Sequence, residues 1–399
     1  MRYVRFLKPP RVVHDKTRTS AHVACLVTIT SDLGDSFLPY SLTLSAELIQ
    51  DERLTSDTGL EPDLDADTQL PPSEALLSSN NVKAWKTVQW KEGMRSLPVT
   101  FPLSRNYEQN GALVVRIGTE PKSDSDDFHR MLLGDSCGVV SVWSAPFNLP
   151  RSAPVSRTVE RRFKIGPRTH RIFEETGESI ARHVWDAGVA LSCQLPCLLE
   201  DSGIIKEILA DHRRRQGRAH ALPQSARSEP PLHVIELGSG CGMVSVVLSH
   251  LVATVEISVT DLAEAQAIAV QNIRHAGRNR KNRAMLAFHE LDWEQPLFEG
   301  ETVLRDSLDG APPERVVDLV VAADCTYNAD SSPAFVNTIY QIALQFPYVT
   351  VAVAMKKRHA SEDVFFSLMS KANFRIANSI SFPLPGDQIA EKYPFTRPI

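Results

Sequence analysis

The stretch LHVIELGSGCGMVSVVLSH, residues 232–250, decides the fold. An apolar run leads into Glu236, glycines follow at Gly238, Gly240 and Gly242, and an apolar segment with helical spacing comes next. This pattern predicts a strand, a tight glycine turn and a helix. Glycine permits the turn, lets a ligand approach the backbone and lets the helix begin close to the strand. The exposed N–H groups at such a helix start favour a polar or anionic ligand group.

Two acidic residues extend this pattern. Glu236 ends the first strand, where a carboxylate is suited to hold a cationic amino acid group. A second predicted strand, residues 255–260, is followed by Asp261 about twenty residues beyond the glycines, a position from which it can accept hydrogen bonds from ribose hydroxyls. The spacing predicts a nucleoside cofactor. A nicotinamide dinucleotide would use similar geometry, and a tight turn without a ligand is the alternative.

The second half of the chain alternates strands and helices. Strands are predicted at 232–237, 255–260, 284–290, 316–323 and 349–355 and from Phe374 to Ser381, and helices at 242–251, 262–276, 333–345 and 361–372. This alternation predicts an α/β fold with a Rossmann-like, doubly wound, mostly parallel sheet. Ligands bind such a sheet at the carboxyl ends of its strands. Glu236, Asp261, Asp292 and Asp324 all fall at those ends.

Residues 1–150 show a different pattern. Strand candidates lie at 23–30, 41–48, 82–90, 113–117 and 139–143. Because no long helical stripe competes with them, we predict a mostly β accessory region. Its acidic, turn-rich stretch 51–72 is expected to be a solvated loop, with partner binding as the alternative. Three prolines between 146 and 154 indicate a linker, so a second domain is predicted over residues 155–399.

A connecting region precedes the glycine motif. It contains a predicted strand at 158–165 and a predicted helix at 177–199 that buries one face. Trp185 on that helix belongs either to the core or to one wall of a nucleoside pocket. Residues 211–231 are rich in arginine and are expected to form a flexible, solvated insertion, with a nuclear-import patch or a nucleic-acid contact as the alternatives.

Composition restricts the protein class. The chain has 399 residues, a formal net charge of −5 and 43% hydrophobic residues, which is typical of a globular protein of two or three domains. We expect no membrane span, no secretory signal and a cytoplasmic and/or nuclear location. Six cysteines are too few for a disulfide framework. Cys193 and Cys197 are expected to be buried thiols, and no metal site is predicted.

Together these motifs resemble the seven-strand, S-adenosylmethionine-dependent methyltransferases, and more narrowly the methyltransferase-like family of protein lysine methyltransferases. The matching segments are Val184-Trp185-Asp186-Ala187-Gly188, Glu236 to Gly242, Asp261, Glu290-Leu291-Asp292-Trp293 and Asp324-Cys325-Thr326-Tyr327. The late segment with Lys356-Lys357-Arg358, Glu362 and Phe365-Phe366 also resembles this family. The resemblance covers about residues 155–381. The Asp-x-x-Tyr and Leu-Asp-Trp steps are its more specific parts. The proline-rich end of the chain departs from the family pattern and predicts a short or altered final hairpin.

The resemblance implies S-adenosylmethionine as the cofactor. The implied cofactor-binding residues are Trp185, Glu236, Gly238, Gly240, Gly242, Asp261, Asp292, Trp293 and Ala323. Glu236 and the glycine backbone would hold the amino acid moiety, and Asp261 the ribose. Asp292 would accept from the adenine amino group, with Trp293 covering the ring and Trp185 closing the methionine side. For Asp292, capping of a turn is the alternative.

The resemblance also implies Asp324 and Tyr327 as catalytic residues. A free lysine has a pKa near ~10.4, so the substrate amine must lose its proton before it attacks the methyl group. Asp324 would orient this amine and favour its approach as a cation. Tyr327 would line the methyl-transfer channel, where an aromatic face attracts ammonium and sulfonium groups. A packing role is the alternative for Tyr327.

Three functions are compatible with this sequence: a protein-lysine N-methyltransferase, a small-molecule or nucleic-acid methyltransferase, and a non-catalytic cofactor-binding scaffold. Against nucleic acid, Asp324-Cys325-Thr326-Tyr327 replaces an Asn/Asp-Pro-Pro-Tyr/Phe step, and the chain is slightly acidic. We therefore expect a protein substrate rather than nucleic acid. We also expect that residues 1–150 recruit this substrate and that the protein is a monomer. The basic run Lys356-Lys357-Arg358 is interpreted either as a contact for an acidic substrate or as a solvated cluster.

Overall fold

The computed structural model describes residues 1–14, 21–51, 81–103, 112–132, 138–148, 156–176, 179–200, 204–215, 231–277, 283–295, 316–386 and 395–398. The chain forms two compact units, one of Met1–Lys164 with Arg171–Glu178 and the other of Ile165–His170 with Ser179–Ile399. Apart from Asp51, the predicted acidic loop lies outside the described residues. In the described ranges, no helix is long and apolar enough to cross a membrane.

The first unit is strand-rich, as predicted. Its elements are β1 (Arg2–His14), β2 (Ala21–Thr30), β3 (Leu42–Asp51), β4 (Val82–Trp90), β5 (Leu97–Leu103), β6 (Ala112–Gly118), β7 (Asp126–Asp127), α1 (Phe128–Leu132), β8 (Val139–Val140), β9 (Val142–Ser144), β10 (Thr158–Ile165) and β11 (Arg168–Glu175). One sheet has the order β5-β2-β1-β8. The other has the order β11-β10-β9-β6-β3-β4, with β7 paired to β10.

Four strands of this unit, β1, β5, β7 and β11, were not predicted, and two of them, β1 and β5, contain proline. In β1, the pairing with β2 shifts register between Phe6 and Lys8 and again between Lys8 and Arg11, around the two prolines that lack an N–H group. In β5, Pro98 and Pro102 occupy exposed positions of a strand at the sheet edge. The register shifts in β1 and the edge position of β5 both accommodate residues that cannot donate a hydrogen bond to a neighbouring strand.

The second unit is the predicted α/β domain. Its elements are α2 (Asp186–Leu199), α3 (Ile204–Arg215), β12 (Leu232–Leu237), α4 (Met243–Leu251), β13 (Thr254–Asp261), α5 (Gln266–Gly277), β14 (Arg283–Glu290), β15 (Leu319–Ala323), α6 (Ser332–Gln345), β16 (Thr350–Ala354), α7 (Val364–Lys371), β17 (Ser379–Phe382) and β18 (Phe395–Pro398). Short 3₁₀ turns cover Ile180–Arg182, Ala263–Ala265 and Ala360–Asp363.

The main sheet of this unit is parallel throughout, with the order β14-β13-β12-β15-β16. The strand order reverses between β12 and β15, which is the point where a doubly wound sheet opens a ligand crevice. The fold class predicted from the alternating pattern is therefore confirmed. Among the described residues, β17 and β18 form an antiparallel pair outside the main sheet. A final hairpin that is short or altered relative to the family pattern stays a prediction.

Three local predictions were wrong. The helix expected from residue 177 begins only at Asp186, and its first half is buried all round rather than on one face. The first five residues of the predicted flexible insertion, 211–215, belong to α3, and Arg213 donates to the carbonyl oxygen of Pro231 at 3.3 Å. Residues 216–230 of this stretch lie outside the described residues. Cys197 is exposed rather than buried.

Candidate active site

A cavity of about 520 Å³ lies at the carboxyl ends of the parallel strands, and every residue that lines it belongs to the second unit. Ten of the predicted site residues line it: Trp185, Glu236, Gly238, Gly240, Asp261, Asp292, Trp293, Ala323, Asp324 and Tyr327. Gly242 does not line the cavity. It precedes α4 in a left-handed conformation, and a Cβ placed there would lie 3.6 Å from Val259.

The glycine turn is confined by both conformation and space. Gly238 has φ +60° and Gly240 has φ +54°, values that favour glycine. A Cβ on Gly238 would lie 2.6 Å from the Cys325 sulfur and 3.1 Å from the Trp293 ring. A Cβ on Gly240 would lie 3.1 Å from the carbonyl oxygen of Ala181. A side chain at either position would therefore strain the turn or displace its neighbours, which favours glycine at both.

Asp261, the last residue of β13, holds the turn in place. Its Oδ2 accepts a hydrogen bond from the Gly240 N–H at 2.7 Å, and its Oδ1 accepts one from the Leu262 N–H at 2.7 Å. Burial raises the pKa of this carboxyl above its usual value. A carboxylate can accept about four hydrogen bonds, so these two leave capacity for ligand hydroxyls.

Glu236, at the end of β12, is almost completely buried. Its Oε2 accepts hydrogen bonds from the Ser245 N–H at 3.1 Å and from the Ser245 hydroxyl. Burial, assisted by the charge of Asp261, raises the pKa of Glu236 to about 7. The group therefore exchanges a proton near neutral pH, and a cation bound beside it would favour its charged form.

Trp293 follows Asp292 directly beyond β14 and forms one wall. Its ring is tilted against Phe335 with centroids 4.7 Å apart, and its Nε1 is buried without a hydrogen-bond acceptor among the described residues. The buried hydroxyl of Ser239 in the same lining also has no partner in that part of the chain. Asp292 Oδ1 accepts from the Glu294 N–H at 3.0 Å, the turn contact that was its alternative role.

Asp324 follows β15 and has a left-handed conformation, with φ +58°. Its Oδ2 accepts a hydrogen bond from the Ala187 N–H at 2.7 Å, and its Oδ1 accepts one from Arg358 Nη1 at 2.8 Å. Lys356 lies two residues before Arg358, and its Nζ is 2.7 Å from Asp186 Oδ2. Lys356 and Arg358 thus pair with carboxylates of the protein, which neither interpretation of the basic run foresaw.

The next residues of this motif differ in exposure. The Cys325 thiol is buried and lies 3.3 Å from the Leu237 carbonyl oxygen, and burial raises its pKa well above the usual value. It is therefore a neutral packing group at physiological pH. Tyr327 is half exposed at the cavity mouth, and partial burial raises the pKa of its hydroxyl.

The structure adds four residues that the sequence analysis left without a role, Ile180, Ser239, Leu262 and Cys325, and it changes the interpretation of Arg358. Ser239 and Cys325 lie inside the quoted motifs, so their positions between predicted site residues were the available signal. Ile180 and Leu262 are exposed apolar residues of the cavity lining that follow no motif. Arg358 follows a strand end, which was the available signal for a role near the site.

Comparison with known proteins shows the family of this chain. A family model described as lysine methyltransferase matches residues 167–372, about half of the chain. The chain belongs to this family, and the predicted class of enzyme, a lysine methyltransferase, is confirmed.

Three relatives show how far the similarity extends. A UPF0665 family protein of Schizosaccharomyces pombe is 25% identical over 370 residues, covering 92% of this chain and 91% of that protein. The protein-lysine N-methyltransferase EFM6 of Saccharomyces cerevisiae is 26% identical over 185 residues, or 45% of this chain and 72% of that protein. The protein-lysine N-methyltransferase EFM3 of Chaetomium thermophilum is 24% identical over 164 residues, or 41% and 46%.

Proposed function

We propose that this lysine methyltransferase transfers a methyl group from S-adenosylmethionine to the side-chain amine of a lysine in a protein. The charge of the cavity carries the proposal. Its lining has no lysine or arginine among the described residues and includes the carboxyl groups of Glu236, Asp261, Glu264, Asp292, Glu294 and Asp324. The cofactor brings a sulfonium and an ammonium group, and the substrate brings an amine. Cationic ligands are therefore complementary to this site.

The residues present fit this cofactor. A volume of about 520 Å³ lies within the range of small-molecule sites. The buried Ser239 hydroxyl and Trp293 Nε1 supply donors without acceptors in the described protein. Gly238 and Gly240 lie in the cavity lining, and the absence of a Cβ at these positions lets a ligand approach the backbone of the turn.

Each residue has a separate role in the proposal. Glu236 holds the ammonium of the amino acid moiety, and Asp261 holds the ribose hydroxyls while fixing the Gly240 N–H. Asp292 accepts from the adenine amino group, and Trp293 packs on the ring. Trp185 closes the methionine side, and Ala323 completes the wall next to it. Bound in this way, the cofactor supplies an electrophilic methyl group.

The protein's part in the transfer is mainly positioning. An in-line displacement needs a neutral amine opposite the departing sulfur, so holding both groups in the cavity supplies much of the acceleration. Tyr327 at the mouth offers an aromatic face to the incoming side chain. Its raised pKa keeps the hydroxyl protonated near neutral pH.

The acidic mouth favours a protein substrate over nucleic acid. Glu264 and Glu294 are exposed in the lining and would repel phosphates. Recruitment of the substrate by residues 1–150, a monomeric state and a cytoplasmic and/or nuclear location complete the proposal.

Binding and transfer test it together. Calorimetry would measure S-adenosylmethionine binding to the wild type, to Asp261→Ala and to Asp330→Ala, an exposed aspartate outside the cavity lining. The same proteins would be incubated with tritiated S-adenosylmethionine and a cell extract. We expect binding and a labelled protein for the wild type and Asp330→Ala, and loss of both in Asp261→Ala.

Other outcomes would contradict parts of the proposal. If the wild type does not bind S-adenosylmethionine, the cofactor assignment is wrong. Label found in RNA or in small molecules would show that the protein is a nucleic-acid or small-molecule methyltransferase instead. Binding without any transfer would support the non-catalytic scaffold.

A further inference from the structure

The carboxylate of Asp324 is paired inside the protein before any ligand arrives. Its side chain is 4% exposed and that of Arg358 is 13% exposed, and Arg358 Nη1 lies 2.8 Å from Asp324 Oδ1. The second oxygen accepts from the Ala187 N–H at 2.7 Å. Asp324 lines the cavity, whereas Arg358 is not part of the lining. Arg358 therefore compensates this carboxylate from behind the wall.

Arg358 is held at both ends. Its backbone N–H donates to Glu362 Oε1 at 3.0 Å, as does the N–H of His359, and Glu362 is buried. At the other end, its guanidinium carbon lies 5.6 Å from the ring centroid of Trp185, within cation–π range. Because both ends are fixed, the guanidinium is directed at Asp324 and at the tryptophan of the cavity wall.

We propose that Arg358 is a positioning residue that sets the charge of the transfer site by neutralising Asp324. This proposal rests on the function proposed above and changes the part of Asp324 in it. The carboxylate of Asp324 then braces the first turn of α2 through the Ala187 N–H, while Glu236 holds the cofactor's ammonium and Asp261 its ribose hydroxyls. Asp324 would not act as an uncompensated counter-ion for the substrate amine.

The chemistry of transfer explains why compensation is useful. The carbon–sulfur bond breaks with its electron pair going to sulfur, while the amine lone pair forms the carbon–nitrogen bond. The positive charge would therefore move from the sulfur to the amine nitrogen, which then releases a proton to water. An extra buried negative charge closer to the sulfur than to the amine would stabilise the charged reactant more than the transition state and so slow the step.

The affinities for S-adenosylmethionine and S-adenosylhomocysteine test this proposal without a protein substrate, because the two ligands differ in the methyl group and its charge. The ratio of the two affinities, measured by calorimetry, reports the charge of the wall. We expect Arg358→Gln to raise the preference for S-adenosylmethionine by on the order of tenfold. Asp324→Asn should lower it by a similar factor, and the double variant should return near the wild-type ratio.

Lys357→Gln is the matched control, since it removes a neighbouring cation whose ion pair with Asp363 is exposed and screened by water. Its ratio should equal that of the wild type. Lost packing against Trp185 affects both ligands alike, so it would not move the ratio. The proposal is overturned if Arg358→Gln and Asp324→Asn leave the ratio unchanged or move it in the same direction.

Stability is checked by thermal unfolding of each variant. If Arg358→Gln does not fold, Arg358→Lys and Asp324→Asn decide: the charge-conserving variant should keep the wild-type ratio, and Asp324→Asn should still lower it. A lowered ratio in both, or in neither, would contradict the proposal. If the wild type binds neither ligand, the proposed function fails instead.

Discussion

At the residue scale, Gly238 combines two demands on one position, a positive φ and the absence of a Cβ. Gly166, in the turn between β10 and β11, has nearly the same φ, +57°, but open space around it. We expect Gly166→Ala to lower the free energy of unfolding by about 1–2 kcal/mol, from backbone strain alone. Gly238→Ala should cost about 2 kcal/mol more, because its Cβ would meet the Cys325 sulfur.

Urea unfolding and calorimetry check this pair of variants. Only Gly238→Ala should also weaken S-adenosylmethionine binding, since only that position lies in the cavity lining. Equal losses of stability in both variants, with cofactor binding unaffected, would show that the turn tolerates a side chain.

The raised pKa of Glu236 predicts a pH-dependent cofactor affinity. Below pH 7 the carboxyl is mostly protonated, and binding of the ammonium group must first ionise it. The affinity for S-adenosylmethionine should therefore rise by roughly eightfold between pH 6 and pH 7.5. Calorimetry over this range measures it, and Glu236→Gln should flatten the dependence. A dependence that persists in Glu236→Gln would have to arise from another group.

The sequence analysis predicted those site residues that lie at the carboxyl ends of the parallel strands. Glu236 and Asp261 are neighbours in space because adjacent parallel strands end at the same edge. The pairing of Asp324 with Arg358 was not predictable in this way. It joins positions 34 residues apart and depends on side-chain directions that only the packed structure fixes.

At the element scale, the first turn of α2 is tied to the segment after β16 by the ion pair of Lys356 with Asp186, which is fully buried. Removing Lys356 takes away one cationic partner of the buried Asp186 carboxylate, and a buried charge is costly where its pairing is weakened. We expect Lys356→Ala to lower the free energy of unfolding by about 2–3 kcal/mol. Lys357→Ala, whose pair with Asp363 is exposed, should cost under about 0.5 kcal/mol.

Urea unfolding, monitored by tryptophan fluorescence, would measure the free energy of unfolding of the two variants. The comparison is matched in residue type and position, so it isolates burial of the partner. Similar losses for both variants would mean that the Asp186 pair does not hold α2.

Element boundaries were the weaker part of the sequence prediction, for physical reasons. The helix α2 begins at Asp186 because Trp185 is extended, with φ −116° and ψ 152°, and its Nε1 donates to the carbonyl oxygen of Ile180 at 3.1 Å. This contact depends on the 3₁₀ turn before it, which leaves no periodic signal in the sequence. The parallel strands were predictable because their apolar runs and regular spacing are long-range features.

At the scale of the whole molecule, the cavity is built from the second unit alone. We expect a chain of residues 179–399 to bind S-adenosylmethionine with nearly unchanged affinity. If residues 1–150 recruit the substrate, the chain of residues 179–399 should transfer far less methyl to protein than the full chain does. Calorimetry and tritium transfer measure the two properties separately. Loss of cofactor binding would show that the cavity needs the first unit, and undiminished transfer would refute recruitment.

The central claim is that lysine in a protein receives the methyl group. The most direct measurement is acid hydrolysis of the protein labelled by the wild type with tritiated S-adenosylmethionine, followed by separation of the methylated amino acids. The account predicts that the label elutes as methyl-lysine and is absent when Asp261→Ala replaces the wild type. Label in another amino acid, or outside protein altogether, would contradict it.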